Sequence, residues 1–341
     1  MKKKLKTKLK IVAFIVLVAL TLYILFKNAD LKNIGNILEN LRIGYIYEGI
    51  GLLFLYMLLE VIMLKDLLAT IHKGANWILA FKTMIVGQYY SLITPMATGG
   101  QPVQLYVMAK EDISLSKGSA VLVNKFLFFQ VGVTIYSLVL FGIKIRDFSS
   151  VISNAMSFVI IGLSVNTIGL WVLGLMLYNP EKLKGIVHVI IKFLHRFKLL
   201  KNAEERMLAF ENSILEYNKS IKTILEDKKL IARCIIFTFI QLTAYFGITY
   251  SVYKAFNLSG HGFWDIIALQ SFLYMAVTFI PTPGAVGVSE IGFHIILGTI
   301  FSGVLVYAIL IWRGITFYFN LIFSGILTLM FTLMDKKKEG L

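Results

Sequence analysis

The sequence predicts an all-α integral membrane protein, a polytopic helix bundle of about six spanning helices plus two inverted, Pro/Gly-broken re-entrant segments. Three observations carry that expectation. The 341 residues are 57% hydrophobic and only 16% charged, with a mean hydropathy of +0.77, far from the balance of a soluble domain. Several apolar runs reach the roughly 20 residues that a helix needs to cross a bilayer. Two of these runs are interrupted by one short pattern, "TPMATG" at 94–99 and "TPGAVG" at 282–287, which share T-P-x-A-x-G at a spacing of 188 residues.

Taken in order, "MKKKLKTKLK" leads into an apolar run over 9–26. A cleaved signal peptide needs small residues ahead of the cut, which "FKNAD" does not offer, so this run is expected to stay as a first helix with its amino end in the cytoplasm. A second helix over 44–64 returns to "LKDLLATIHKGAN". The first broken segment spans 77–108, with a helix over 77–93, the interruption, and a short apolar run over 103–108. Helices over 120–142 and 151–178 complete a first membrane half, residues 1–178. Residues 179–229 form a basic cytoplasmic connector, because the stretch 181–229 holds eleven Lys/Arg against seven Asp/Glu. Its apolar residues recur at steps of three and four, from Ile186 to Phe197 and again at Ile214, Tyr217, Ile221 and Ile224, which implies two amphipathic helices. The second half, 230–341, opens with a helix over 230–253. It carries the second broken segment over 263–301 and closes with one apolar stretch over 304–334 ahead of "DKKKEGL". The Lys/Arg bias puts both termini in the cytoplasm, so the first broken segment enters from inside and the second from outside.

The net charge of +15 gathers at the ends of apolar runs rather than along a basic face with interleaved aromatics. It therefore reports topology, and no direct nucleic-acid binding is expected. The single cysteine, Cys234, and the lack of a Cys/His cluster give no expectation of a metal or cofactor. The sequence holds no nucleophile elbow, phosphate-binding loop or HExxH signature, so no catalytic residue is assigned.

The interruptions themselves point to a site. Proline removes an N–H and glycine leaves helical geometry, so polar backbone appears at membrane depth, where each unsatisfied group costs several kcal/mol. A packing kink is one reason to keep such a break. Its recurrence at matching places in two halves favours another, a transporter's midplane site, with the restarting helices aiming free N–H groups at an anionic group. Ionisable residues inside apolar runs add Glu290, just past the second break, and Arg313 in the last helix, which are positioned to pair. Lys125 and Glu60 either snorkel to the surface or face a cavity. Gln130, Asn166, Gln241 and Gln270 are buried amides suited to interhelical hydrogen bonds.

The stretches "TPMATGGQPVQLYVMAKEDISLSKGSAVLVNKFLFFQ", "FIPTPGAVGVSEIGF" and "WRGITFYFNLIFSGI" together resemble the membrane region of lysylphosphatidylglycerol synthases, a flippase-like domain. The resemblance covers nearly the whole chain. It departs from the family pattern at Asn320, where a proline is common. It implies a bacterial inner-membrane protein linked to aminoacylated phosphatidylglycerol and to resistance against cationic peptides, with a membrane phospholipid as its ligand. In full-length synthases a carboxy-terminal domain transfers lysine from lysyl-tRNA to phosphatidylglycerol, and the membrane region is thought to move the product. That domain is not expected within these 341 residues, so a separate lysyltransferase is an expected partner. The alternative is that the chain is itself a phosphatidylglycerol lysyltransferase or a membrane subunit of one. Matched position by position, the resemblance assigns substrate binding to Thr94, Pro95, Gly99, Gly100, Gln101, Gln104 and Lys125, and to Pro281, Thr282, Pro283, Gly284, Gly287, Glu290 and Arg313. Glu60 and Gln130 are further candidates from the residues alone.

Overall fold

The computed structural model describes residues 34–148, 156–177, 203–278 and 280–338. The expected first helix and the first connector helix lie outside those residues. Every regular element described is helical, as the apolar periodicity requires: α1 (Ile34–Glu39), α2 (Ile43–Ala69), α3 (Trp77–Ile93), α4 (Gly100–Ala109), α5 (Leu115–Phe148), α6 (Met156–Leu177), α7 (Ala203–Glu226), α8 (Lys228–Ala255), α9 (Phe263–Val277), α10 (Val288–Leu297), α11 (Leu305–Arg313) and α12 (Asn320–Lys338), with a π-helical turn over Gly314–Phe319 between the last two. Three described stretches, Leu115–Arg146, Lys228–Ala255 and Leu305–Asp335, are long and apolar enough to cross a membrane. Large apolar side chains such as Ile161, Trp171 and Ile326 face outward, which suits contact with lipid tails.

Polar contacts at the helix ends fix directions. Arg233 at the start of α8 meets Asp66 near the end of α2 at 3.0 Å, and the Arg42 N–H ahead of α2 donates to Ala255 O at the end of α8, so α2 and α8 run antiparallel. Lys82 near the start of α3 meets Asp335 near the end of α12 at 2.7 Å, and Lys110, capping α4, lies 3.9 Å from the same carboxylate. Thus α3 enters from the end that carries the α12 terminus and α4 returns to it. At the opposite end Lys144 of α5 holds Asp265 in the first turn of α9 at 2.9 Å, and Phe301, past α10, packs edge-on to Tyr253 near the end of α8. The second broken segment therefore enters from the other end and returns there. Two opposed hairpins result, in line with the inverted pair expected from the repeat.

Their tips meet. Pro95 and Pro283, the prolines of the two patterns, form an antiparallel backbone bridge. The turns repeat bond for bond at the same offset: Ala97 N–H to Thr94 O and Thr98 N–H to Pro95 O in one, Ala285 N–H to Thr282 O and Val286 N–H to Pro283 O in the other. Each places two successive residues at positive φ, Met96 and Ala97 at 51° and 55°, Gly284 and Ala285 at 57° and 52°. A non-glycine residue there costs about 1–2 kcal/mol, so the shared conformation needs support from its surroundings.

The short arms restart at Gly100 and Val288, each within one residue of Gln101 and Gly287, where the helices are expected to resume past the breaks; polar Gln and Glu fit a first helical turn whose donors lack intrahelical partners. Two later boundaries differ from expectation. The second arm ends at Leu297, short of 301. The last stretch is not one regular helix: a π turn over Gly314–Phe319, ending at Asn320, interrupts the α-helical ladder. On α7, Ile221 and Tyr217 pack on Ala120 of α5, seating the amphipathic helix on the bundle.

Single-cysteine labelling in a Cys234→Ser background checks the hairpins. Positions 73, 110, 201 and 337 should react from one face of a sealed vesicle, the cytoplasmic one, and positions 33, 146 and 259 from the other. Labelling of 73 and 110 from opposite faces would contradict re-entry of the first hairpin.

Candidate functional site

The first hairpin packs as a unit because small residues let its arms touch. A Cβ on Gly100 would collide with Ser91 Oγ and Gly87 O, and one on Gly87 with the Gln104 side chain. Pro102 sits in the first turn of α4, where its missing N–H costs no helical bond. The tip is held by neutral groups. Thr94 Oγ1 donates to Tyr90 O at 2.6 Å and accepts the Gly99 N–H at 2.9 Å, Gly100 N–H bonds Ala97 O, and Thr98 Oγ1 donates to Pro95 O.

The second tip is held by charge. Arg313 Nε donates to Glu290 Oε1 at 2.7 Å and its Nη2 to Glu290 Oε2 at 3.2 Å. The same guanidinium donates to Ala285 O at 2.9 Å and Gly284 O at 3.3 Å. Glu290 Oε2 also accepts the Gly287 N–H at 2.7 Å, capping α10. Glu290 and Arg313 are 4% and 6% exposed, so the pair is dry. Gly284 is favoured by its positive φ, which Met96 adopts at the matching place in the first tip, and is required because a Cβ would enter the Phe317 ring. Pro281 is exposed and the Thr282 hydroxyl is buried without a partner. The N–H groups at Gly99, Gly100 and Gly287, expected to be free for a ligand, are thus bonded within the chain, because a tight turn brings its own acceptors within reach.

A cavity of about 610 Å³ opens beside the first tip. Met96, Ala97, Thr98, Gln101 and Gln104 of the hairpin line it, with Gln88 and Ser91 of α3. Across from them, Lys125 Nζ of α5 lies 2.6 Å from Glu60 Oε1 of α2, with side chains 17% and 12% exposed. The lysine therefore reaches a partner across the bundle instead of snorkelling. Tyr56, Tyr274, Phe126, Phe129 and Gln241 complete the wall.

The structure so divides the sequence candidates. Gln101, Gln104, Lys125 and Glu60 share the cavity with the first break, while Pro281, Thr282, Pro283, Gly284, Gly287, Glu290 and Arg313 gather at the second tip. Gln130 lies outside the cavity lining and donates to Asn166 Oδ1 at 2.6 Å, and Asn166 reaches Met275 O of α9. Gln270 accepts from Thr249. Sequence reasoning missed Tyr56, Tyr274 and Gln88, which sit in plain apolar helical patterns. It also missed the Lys82–Asp335 pair, since nothing local links residues that far apart.

Two opposed, proline-broken hairpins meeting tip to tip inside an apolar helix bundle, with a charged cavity beside the contact, define a multi-pass helical membrane protein. The family described as the lysylphosphatidylglycerol synthase TM region matches residues 9–324, and the chain belongs to it. No curated protein and no solved structure matches the chain.

Glu290→Gln should strand the buried guanidinium and cost about 3–5 kcal/mol of stability. The double change Glu290→Gln with Arg313→Gln should recover part of that loss, as thermal unfolding in detergent would read. Equal, additive losses from the two single changes would contradict the coupling.

Proposed function

We propose that the chain binds a phospholipid headgroup in the cavity beside the first tip and carries it across the bilayer, as a flippase-like transporter for aminoacylated (lysyl-) phosphatidylglycerol or a related anionic or amine-bearing lipid. One observation supports this best: the Glu60–Lys125 pair faces a cavity that several glutamines also line, inside an otherwise apolar bundle. Two opposite charges at depth are costly and mark a pathway by default. Their signs suit a headgroup with both a phosphate and an amine, Lys125 exchanging Glu60 for the phosphate and Glu60 exchanging Lys125 for the ammonium, so neither charge is left alone. Gln88, Gln101 and Gln104 supply neutral donors and acceptors for ester and hydroxyl groups. The acyl chains stay among the outward apolar side chains while the head crosses. In this reading the chain sits in a bacterial inner membrane, contributes to resistance against cationic peptides, and receives its lipid from a separate lysyltransferase.

Translocation of lysylphosphatidylglycerol in reconstituted vesicles, normalised to folded protein, tests this. Glu60→Gln and Lys125→Gln should each slow it at least about tenfold, equivalent to about 1.4 kcal/mol. Rates near normal for both variants would contradict the assignment. New aminoacylated lipid in extracts of cells expressing this chain alone would instead point to the phosphatidylglycerol lysyltransferase reading.

A further inference from the structure

The wall of the cavity carries chemistry that the charged pair does not use. Tyr56 precedes Glu60 by four residues on α2, and Phe129 follows Lys125 by four on α5. Residues four apart share a helix face, so both rings stand about one turn, roughly 5.4 Å, beyond the charged pair. Tyr274 of α9 joins them edge-on, its ring centroid 6.4 Å from that of Phe129. All three rings line the cavity.

Gln241 of α8 lines the same wall and is 2% exposed. Its Nε2 donates to Tyr56 O at 3.3 Å, which orients the amide, and its Oε1 is buried with no partner. Such an oxygen in a membrane interior costs free energy unless a donor reaches it. Aromatic rings and an amide oxygen favour a cation, and Glu60 adds to that attraction once a phosphate has drawn Lys125 away from it. The unsatisfied acceptor adds a finer requirement, that the cation bring an N–H.

We infer that Gln241 Oε1, with the rings of Tyr56, Phe129 and Tyr274, forms an ammonium subsite that selects a head bearing N–H donors over a fully methylated one. The inference rests on the cavity being a headgroup site. A primary ammonium has three N–H donors and satisfies Gln241 while its charge lies among the rings. A quaternary ammonium gains the same ring attraction but leaves the oxygen stranded, and a site built to receive a donor rejects an analogue that lacks one.

The probes are phosphatidylethanolamine and phosphatidylcholine with identical acyl chains, which share the phosphate and differ in the three N-methyl groups. Each is titrated, in competition with a fluorescent lipid, against the full chain in detergent. The wild-type protein should bind phosphatidylethanolamine about tenfold more tightly. Gln241→Met, similar in volume but without the acceptor, should bring the ratio close to one, and Gln241→Glu, which keeps an acceptor, should preserve the preference. Equal binding by the wild-type protein, or a ratio unchanged in Gln241→Met, would overturn the subsite while leaving the headgroup cavity standing. Should either variant fail to fold, the wild-type ratio decides. Binding of neither lipid would bring down the headgroup reading and the subsite with it.

Discussion

A membrane interior cannot leave backbone polar groups bare, and the second tip answers that constraint with one side chain. Arg313 spreads its donors over the carboxylate of Glu290 and the carbonyls of Gly284 and Ala285, while Glu290 caps the helix that restarts beyond them. The π turn that follows Arg313 and the stack of its guanidinium on Trp312 and Phe317, at 5.1 and 5.4 Å from the ring centroids, lock its position. Replacing a buried ion pair with apolar residues is often neutral elsewhere. Here it would also release two carbonyls of a strained turn, so the pair does more than hold itself together.

The first tip has the same backbone turn but no charge on it. Thr94 supplies the bond to Gly99 that Glu290 supplies to Gly287, and the matching Thr282 hydroxyl at the second tip is idle. One repeat has thus become two devices. The second hairpin is clamped by Arg313, and Gly162 and Asn166 of α6 approach its backbone closely at Met275. At its far end the first is tied to the bundle by Asp335, which lies between Lys82 and Lys110, by Lys65 over the Trp77 ring and by Phe81 packed on Phe331. Neutral hydrogen bonds are weaker than charge-assisted ones by about a factor of two. The hairpin whose tip lacks a charged clamp is the one beside the cavity.

The breaks were legible in the sequence because proline and glycine act locally, and the second copy of T-P-x-A-x-G made them a pair. Glu290 and Arg313 were legible because charge inside an apolar run is rare. What each charge touches was not, since Glu60 and Lys125 lie 65 positions apart and only the packing of α2 on α5 brings them together. The N–H groups of Gly99, Gly100 and Gly287 are not free, because a tight turn brings its own acceptors within reach of them. Tyr56, Tyr274 and Gln88 gave no local signal as a wall, because their spacing is that of ordinary buried helix faces, and Gln241 was legible only as a buried amide.

The tip-to-tip contact is where the two inverted hairpins meet, at Pro95 and Pro283. Partners in an antiparallel bridge have Cα atoms about 4.5–5.5 Å apart, within the range a disulfide spans. Pro95→Cys with Pro283→Cys in a Cys234→Ser background measures it directly. Mild oxidation of the membrane-embedded protein, followed by cleavage in the connector between residues 203 and 226, should leave the two halves joined until a reductant is added. Two thiols that both react with a small alkylating probe yet never cross-link within one chain would contradict the contact.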